Sequence, residues 1–242
     1  MPQKVIHIII PALNEEQTIS RVIDEIPMGE LTEMGYGVSV IVIDNNSTDR
    51  TKQLAEAKGA LVVSELRRGK GRAITTAFES VSADFIFILD GDYTYPATEI
   101  PQMLKALESD YDVVLGSRLK GKMEKGAMAR MNWLGNHFLT LLANLLYGTR
   151  ISDLCTGYWG FRGSIVDDIK LDALGFDLEA NLLAQIAQMH CRIAEVPVNY
   201  RRRPTPSKLS GYRDGFRIVR TLIEMRFHRN NRKVVAECTY PS

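Results

Sequence analysis

The stretch FIFILDGDYTYP, residues 85–96, carries five apolar residues straight into two aspartates separated by one glycine. A run of this length and composition reads as a buried strand, so Asp90 and Asp92 fall just beyond its carboxyl end. Two carboxylates about 5 Å apart, at an effective dielectric of about 20, repel by roughly 3 kcal/mol. A divalent cation held between them offsets that repulsion, and Gly91 leaves the backbone free to turn between the acids. The alternative reading is a pair of acids on a solvated loop. The long apolar strand that delivers them argues against it.

Working outward, short β-branched runs alternate with helical periodicity, the pattern of βα units around a mostly parallel sheet. Strands are expected near 4–10, 38–43, 60–64, 84–89 and 112–116, and helices over 15–27, 48–58, 70–81 and 97–108. In such sheets ligands bind beyond the carboxyl ends of the strands. The residues there are Pro11-Ala12-Leu13-Asn14-Glu15, Asp44-Asn45-Asn46-Ser47 and Asp90-Gly91-Asp92. Each cluster alone has a plain explanation as a cap or turn. Three at equivalent strand ends converge on one site.

Two further segments carry charge. RRGKGRA, residues 67–73, sets Arg67, Arg68 and Lys70 among glycines at a predicted helix start, a place suited to an anion. It lacks the spacing of a Walker loop. In the second half, Arg130–Tyr147 reads as an amphipathic helix, SDLCTGYWGFR as a turn and strand, 176–189 as a helix and RIAEVPVNY as a last strand. From Arg201 to Lys233 there are eleven Lys or Arg against two acids, Asp214 and Glu224.

The 242 residues, 45% of them hydrophobic, suffice for one large core. A formal net charge of +1 excludes the whole molecule as an electrostatic magnet for nucleic acid, so no nucleic-acid partner is expected. Cys155, Cys191 and Cys238 fit neither a disulfide framework nor zinc spacing, which favours a reducing compartment. The N-terminus reads as a strand rather than a signal peptide. The most membrane-like stretch, Phe138–Tyr147, would reach about 15 Å as a helix, half of a hydrocarbon core, so no span is expected.

Taken in order, PALNEE, VIDNNSTDRT, GKGRA, LDGDYTYP, GSR, SDLCTGYWGFR, AEVPVNY and SKL resemble the motifs of family 2 inverting glycosyltransferases. Within that family the chain is most similar to dolichyl-phosphate mannose or glucose synthases. The resemblance runs from about residue 4 to 212. It implies an α/β GT-A fold, a Rossmann-like, mostly parallel sheet flanked by helices, in one glycosyltransferase domain over residues 1–212. Residues 213–242 are then an amphipathic basic C-terminal helix and tail.

Carried onto this sequence, the resemblance implies that Pro11, Asn14 and Glu15 surround the nucleotide and that Asp44 binds base or ribose. Asp90 and Asp92 hold Mg2+ or Mn2+ and the diphosphate. Arg118 of GSR, with Arg202, Ser207 and Lys208 around SKL, holds phosphates of donor or acceptor, and Lys70 joins the anion site. Three positions depart from the pattern. The second acid after the second strand is Asn45, the additional metal contact two residues past the DxD is Thr94, and Arg130 matches an acceptor-phosphate arginine without the serine one turn later.

The implied reaction moves a hexose from a GDP- or UDP-linked donor to a polyisoprenyl phosphate. An anionic acceptor oxygen needs no strong base, so catalysis rests on positioning and charge stabilisation. A sugar hydroxyl acceptor would instead need a carboxylate base, for which Asp177 and Glu179 in GFDLE are the candidates. A non-catalytic nucleotide-sugar-binding subunit is the alternative of a different class. The apolar face of the helix around Trp133, Phe138, Leu141, Leu142 and Leu145 is expected to pack on the core, with membrane contact as the alternative. The C-terminal stripe Phe216, Val219, Leu222, Ile223 and Phe227, backed by basic residues, suits an anionic membrane surface or a membrane partner protein, placing the chain peripherally at the cytosolic membrane face.

Overall fold

The computed structural model describes residues 3–171, 175, 177–206 and 211–227. The chain runs β1 (Val5–Ala12), α1 (Ile19–Asp24), α2 (Met28–Glu33), β2 (Gly37–Asp44), α3 (Thr51–Ala57), β3 (Leu61–Ser64), α4 (Lys70–Ser80), β4 (Phe85–Ile88) and α5 (Ile100–Glu108). It continues through β5 (Val113–Ser117), α6 (Arg130–Tyr147), β6 (Trp159–Arg162), α7 (Gly163–Val166), α8 (Leu178–Gln188), β7 (Ile193–Pro197) and α9 (Gly211–Phe227). The strands form one sheet in the order β3-β2-β1-β4-β6-β5-β7. The first four are mutually parallel, β6 runs antiparallel to both neighbours, and β7 lies parallel to β5.

Alternation along the strands makes three layers. On β1, Ile6, Ile8 and Ile10 join a core with α1, α2 and α5, while Ile9 joins the opposite core with α4, α6, α8 and α9. With both faces covered, the central strands are apolar throughout, as FIFI in β4 shows. The crevice opens where the strand order turns back, at β1. Ala12 lies opposite Asp44 in register, and Asp90 follows β4 on the other side of β1. The three polar strand ends therefore share one edge of the sheet.

Two expected helices are shorter than their periodicity. The helix expected over 15–27 begins at Ile19, because Asn14 adopts a left-handed backbone (φ 51) and the amides of Glu15 and Glu16 are bonded by Thr51 and Asp49. The one expected over 48–58 begins at Thr51, since the Thr48 amide is bonded by Asn14 Oδ1. These exchanged bonds knit the first two strand-end loops together. The 18-residue helix α6 has the expected bounds, yet its apolar stripe faces outward. Trp133, Phe138, Leu141 and Leu145 are exposed, Leu142 packs against the core, and Asn136, Leu139, Thr140 and Ala143 are buried. On α9 the stripe divides: Leu222 is buried, but Phe216, Ile223 and Phe227 are exposed.

Candidate active site

Asp90 and Asp92 leave β4 into the crevice, and each carboxylate meets a cation. Lys70 Nζ, at the start of α4, lies 2.7 Å from Asp90 Oδ1 and 2.9 Å from Glu179 Oε1. Burial alone would lower the Lys70 ammonium, but the charges of Asp90 and Glu179 outweigh it and hold the group above its usual value. Arg203 Nη1 stands 3.3 Å from Asp92 Oδ2, and its Nη2 donates to Glu15 Oε1 at 2.7 Å. The other oxygen of Asp92 accepts from the amide and hydroxyl of Thr94 at 3.1 and 2.6 Å. Burial and the neighbouring charge of Asp90 push the Asp92 carboxyl above its ordinary range, against the pull of Arg203 and Thr94.

The floor of this site is tight. A Cβ on Gly157 would fall 2.0 Å from Asp90 Oδ2, so glycine lets the segment before β6 pass this carboxylate without turning it aside. The Gly157 amide donates to Tyr95 Oη at 2.8 Å, and Tyr95 packs edge-on against Tyr200. Arg118 lies over the Tyr200 ring and is itself held by Asp153. Its amide and Nε donate to Asp153 Oδ2 at 2.9 and 2.8 Å, and its Nη2 to Oδ1 at 2.6 Å. Asn136 of α6 donates to the same Oδ1 at 2.6 Å.

On the other flank, Asp44 is buried, and its Oδ1 has no partner. Its Oδ2 accepts only a long 3.4 Å bond from the Ser47 amide. A buried carboxylate oxygen left without a partner at the end of β2 would be satisfied by an N–H or O–H from a ligand. Asn45 is committed within the protein. Its Nδ2 donates to the carbonyls of Glu65 and Arg67, and its Oδ1 accepts from the Gly69 amide at 2.7 Å. It thereby fixes the loop that delivers Lys70.

The remaining sequence candidates separate by position. Asn14 and Glu15 lie at the crevice through their bonds to Ser47, Thr48, Thr51 and Arg203, and the Pro11 carbonyl lies under Gly91. Glu179 reaches Asp90 through Lys70, whereas Asp177 bonds the Gly175 amide and the Thr221 hydroxyl on α9. Arg130 is exposed at the start of α6. Arg202 is exposed and gives its amide to Glu124, while the adjacent Arg203 enters the site. Ser207 and Lys208 lie outside the described residues. Sequence reasoning missed Arg203. Beyond β7, Arg201 pairs with Glu25 and Arg203 with Glu15, so alternation turns the odd-numbered residues inward, a phase that RRR does not reveal in sequence.

Among the described residues no group of three or more His, Cys, Asp or Glu forms a cation cage. Asp90 and Asp92 offer hard oxygen donors in a pair, so a divalent ion seated on them completes its shell with oxygens from its own ligand. The cationic groups now against both acids mark where positive charge is wanted. The residue set fits the ion.

A family model described as glycosyl transferase family 2 matches residues 7–170. The chain belongs to this family. Glycosyltransferase AglJ of Haloferax volcanii is 36% identical over 211 residues, covering 86% of this chain and 67% of that protein. The dolichyl-phosphate hexose transferase of the same organism is 32% identical over 220 residues, 90% of this chain and 92% of that one. Among solved structures, glucosyl-3-phosphoglycerate synthase of Mycobacterium tuberculosis, crystallised with Mn2+, uridine diphosphate and glucosyl-3-phosphoglycerate, matches with a TM-score of 0.70 and 25% identity, covering 92% of this chain and 80% of that one. The fold is thus the GT-A sheet of the family, and the chain is a glycosyltransferase.

Proposed function

We propose that the protein transfers a hexose, with inversion, from a nucleotide-diphosphate sugar to a polyisoprenyl phosphate at a membrane surface. The observation that carries this reading is the crevice at β1, where Asp90 and Asp92 sit between Lys70 and Arg203 and the neighbouring strand β2 ends in Asp44 with an unpartnered oxygen. The near-full-length likeness to a dolichyl-phosphate hexose transferase supports the acceptor class. The Mn2+ and uridine diphosphate bound by the mycobacterial synthase support a divalent ion and a nucleotide-diphosphate donor, UDP- or GDP-linked.

In this reading Asp90 and Asp92 hold Mg2+ or Mn2+, which when bound neutralises charge on the departing diphosphate. Asp44 accepts a hydrogen bond from base or ribose at its free oxygen, with Asn14 and Pro11 shaping that end. Lys70 and Arg203 turn from the acids toward donor phosphate, and Glu179 and Glu15 keep each cation oriented as it does so. Arg118, clamped by Asp153, places the Tyr200 ring and the chain leading to Arg203 rather than moving itself. The acceptor phosphate brings its own anionic nucleophile, so no side chain need remove a proton. Its charge is met by exposed basic groups, for which Arg130 and Arg202 are the candidates.

Purified protein incubated with labelled UDP- or GDP-hexoses, Mn2+ and short-chain polyprenyl phosphate should give an organic-extractable product, and Asp92→Asn should abolish it. Transfer only to water-soluble acceptors would refute the lipid assignment. Donor binding with no turnover on any acceptor would point to a binding subunit.

A further inference from the structure

Nine of the thirteen large apolar side chains exposed among the described residues lie on two packed helices, α6 and α9. On α6 the series Met131, Leu134, Phe138, Leu141 and Leu145 steps by three and four, a single stripe with exposures of 63, 56, 61, 58 and 75%. The inward face sets Leu139 and Ala143 in the core beside a polar ladder. Asn136, Thr140 and Asn144, four residues apart, bond Asp153 and the backbone from Ile151 to Cys155. A helix turned apolar side out toward water forfeits about 25 cal/mol for each Å² left uncovered, so the stripe calls for a cover.

We propose that the outward face of α6, continued by the exposed edge of α9, docks on an anionic lipid membrane. The proposal deepens the polyisoprenyl phosphate reading, on which its purpose rests, but the surface is assigned on its own chemistry. Charge selects the occupant. The 18 residues of α6 include no acid and begin with exposed Arg130. On α9, Arg213, Arg217, Arg220 and Arg226 are exposed, Glu224 is paired with Arg220 at 2.7 Å, and Asp214 is buried. Beyond Phe227 the sequence continues HRNNRK. An apolar stripe bordered by more arginines than acids complements acyl chains beneath anionic headgroups, whereas two copies of the same face would oppose like charges. Trp133, 43% exposed and packed on His137, has the half-apolar character of an interfacial anchor. The polar ladder on the reverse of α6 holds the segment leading to Gly157 beside Asp90, so docking this face fixes the site against the headgroup layer.

The two tryptophans make the test direct. Trp159 is 1% exposed and serves as a constant background, so a change in emission reports Trp133. The full chain is mixed with vesicles of phosphatidylcholine containing about one quarter phosphatidylglycerol and no polyprenyl phosphate. A blue shift with co-sedimentation is expected, weakened by salt. Phe138→Glu with Leu141→Glu should lower partitioning by about tenfold or more, with circular dichroism unchanged. Trp133→Phe should remove the shift while co-sedimentation persists. Absence of both signals from the wild type overturns the proposal. So does a well-folded double variant that binds undiminished, or light scattering that finds a dimer dissociated by Leu141→Glu. Because the vesicles hold no acceptor, docking without any lipid-linked product in the transfer assay would sink the acceptor reading alone.

Discussion

Gly157 carries the sharpest steric constraint at the site. Its missing side chain is what admits the Asp90 carboxylate, since an added Cβ would meet Oδ2 at 2.0 Å and Cγ at 2.7 Å. Alanine there must rotate Asp90 away from Lys70 and from any shared ligand. Gly157→Ala is therefore expected to lower Mn2+-dependent nucleotide affinity by tenfold or more, the scale of a displaced metal ligand, while leaving circular dichroism unchanged; isothermal titration with and without the metal checks it. Two residues earlier, the partly exposed Cys155 is expected to be unreactive for a different reason. Burial pushes its thiol up to about 12, ahead of the smaller influence of nearby charges. At pH 8 only about one thiol in ten thousand is ionised, so iodoacetamide should leave Cys155 unmodified in native protein and label it in denaturant, as peptide mass spectrometry would record. Rapid native labelling would mean that the segment beside Asp90 opens readily.

At the scale of elements, α6 shows where a sequence pattern stops short. Periodicity fixes its bounds and gives it an apolar face, but a stripe carries no sign for inward or outward. What decides the sign is the Asn136, Thr140, Asn144 ladder, whose partners come from a segment up to 19 residues away. The same limit applies to Arg201, Arg202 and Arg203. Three identical residues have no phase, and only the pairing of Arg201 with Glu25 sets Arg203 rather than Arg202 into the crevice. Asp177 and Glu179 were indistinguishable as the first acids of a helix; the arrival of Lys70 from α4 separates them. Asp90, Asp92 and Asp44 were legible because each ends an apolar strand, and strand ends in a parallel sheet have a known direction. The ladder makes a prediction of its own. Asn136→Leu would leave the Cys155 amide without its partner, while Asp153 Oδ1 keeps Arg118, and one unsatisfied group of this kind costs about 1–3 kcal/mol. Urea denaturation should register a loss of that size without a change in slope. A neutral result would mean that water or a side-chain shift replaces the bonds.

For the whole molecule, the sheet divides the labour. The parallel half, β3-β2-β1-β4, ends in the carboxylates and the loops that exchange bonds between residues 14–16 and 47–51, while β6, β5 and β7 carry Gly157, Arg118 and the chain leading to Arg203. The ion pairs Lys70–Glu179 and Arg203–Asp92 bridge the crevice between the two halves. They hold it together through side chains that the proposed donor and ion would redirect. Ligand binding then replaces weak cross-links by a diphosphate and a cation touching both sides, and it stabilises only the folded state. At a ligand concentration of a hundred times Kd the gain is about 2.7 kcal/mol, which for a chain of this size raises Tm by roughly 5 °C. A thermal shift is expected from UDP or GDP only when Mn2+ or Mg2+ is present, reversed by EDTA and lost in Asp90→Asn. Arg203→Gln should reduce it and Arg202→Gln should leave it nearly intact, because only Arg203 spans Glu15 and Asp92. A shift of equal size without metal, or equal effects of the two arginine variants, would place the diphosphate elsewhere than on the paired acids and return the Arg203 bridge to a purely structural role.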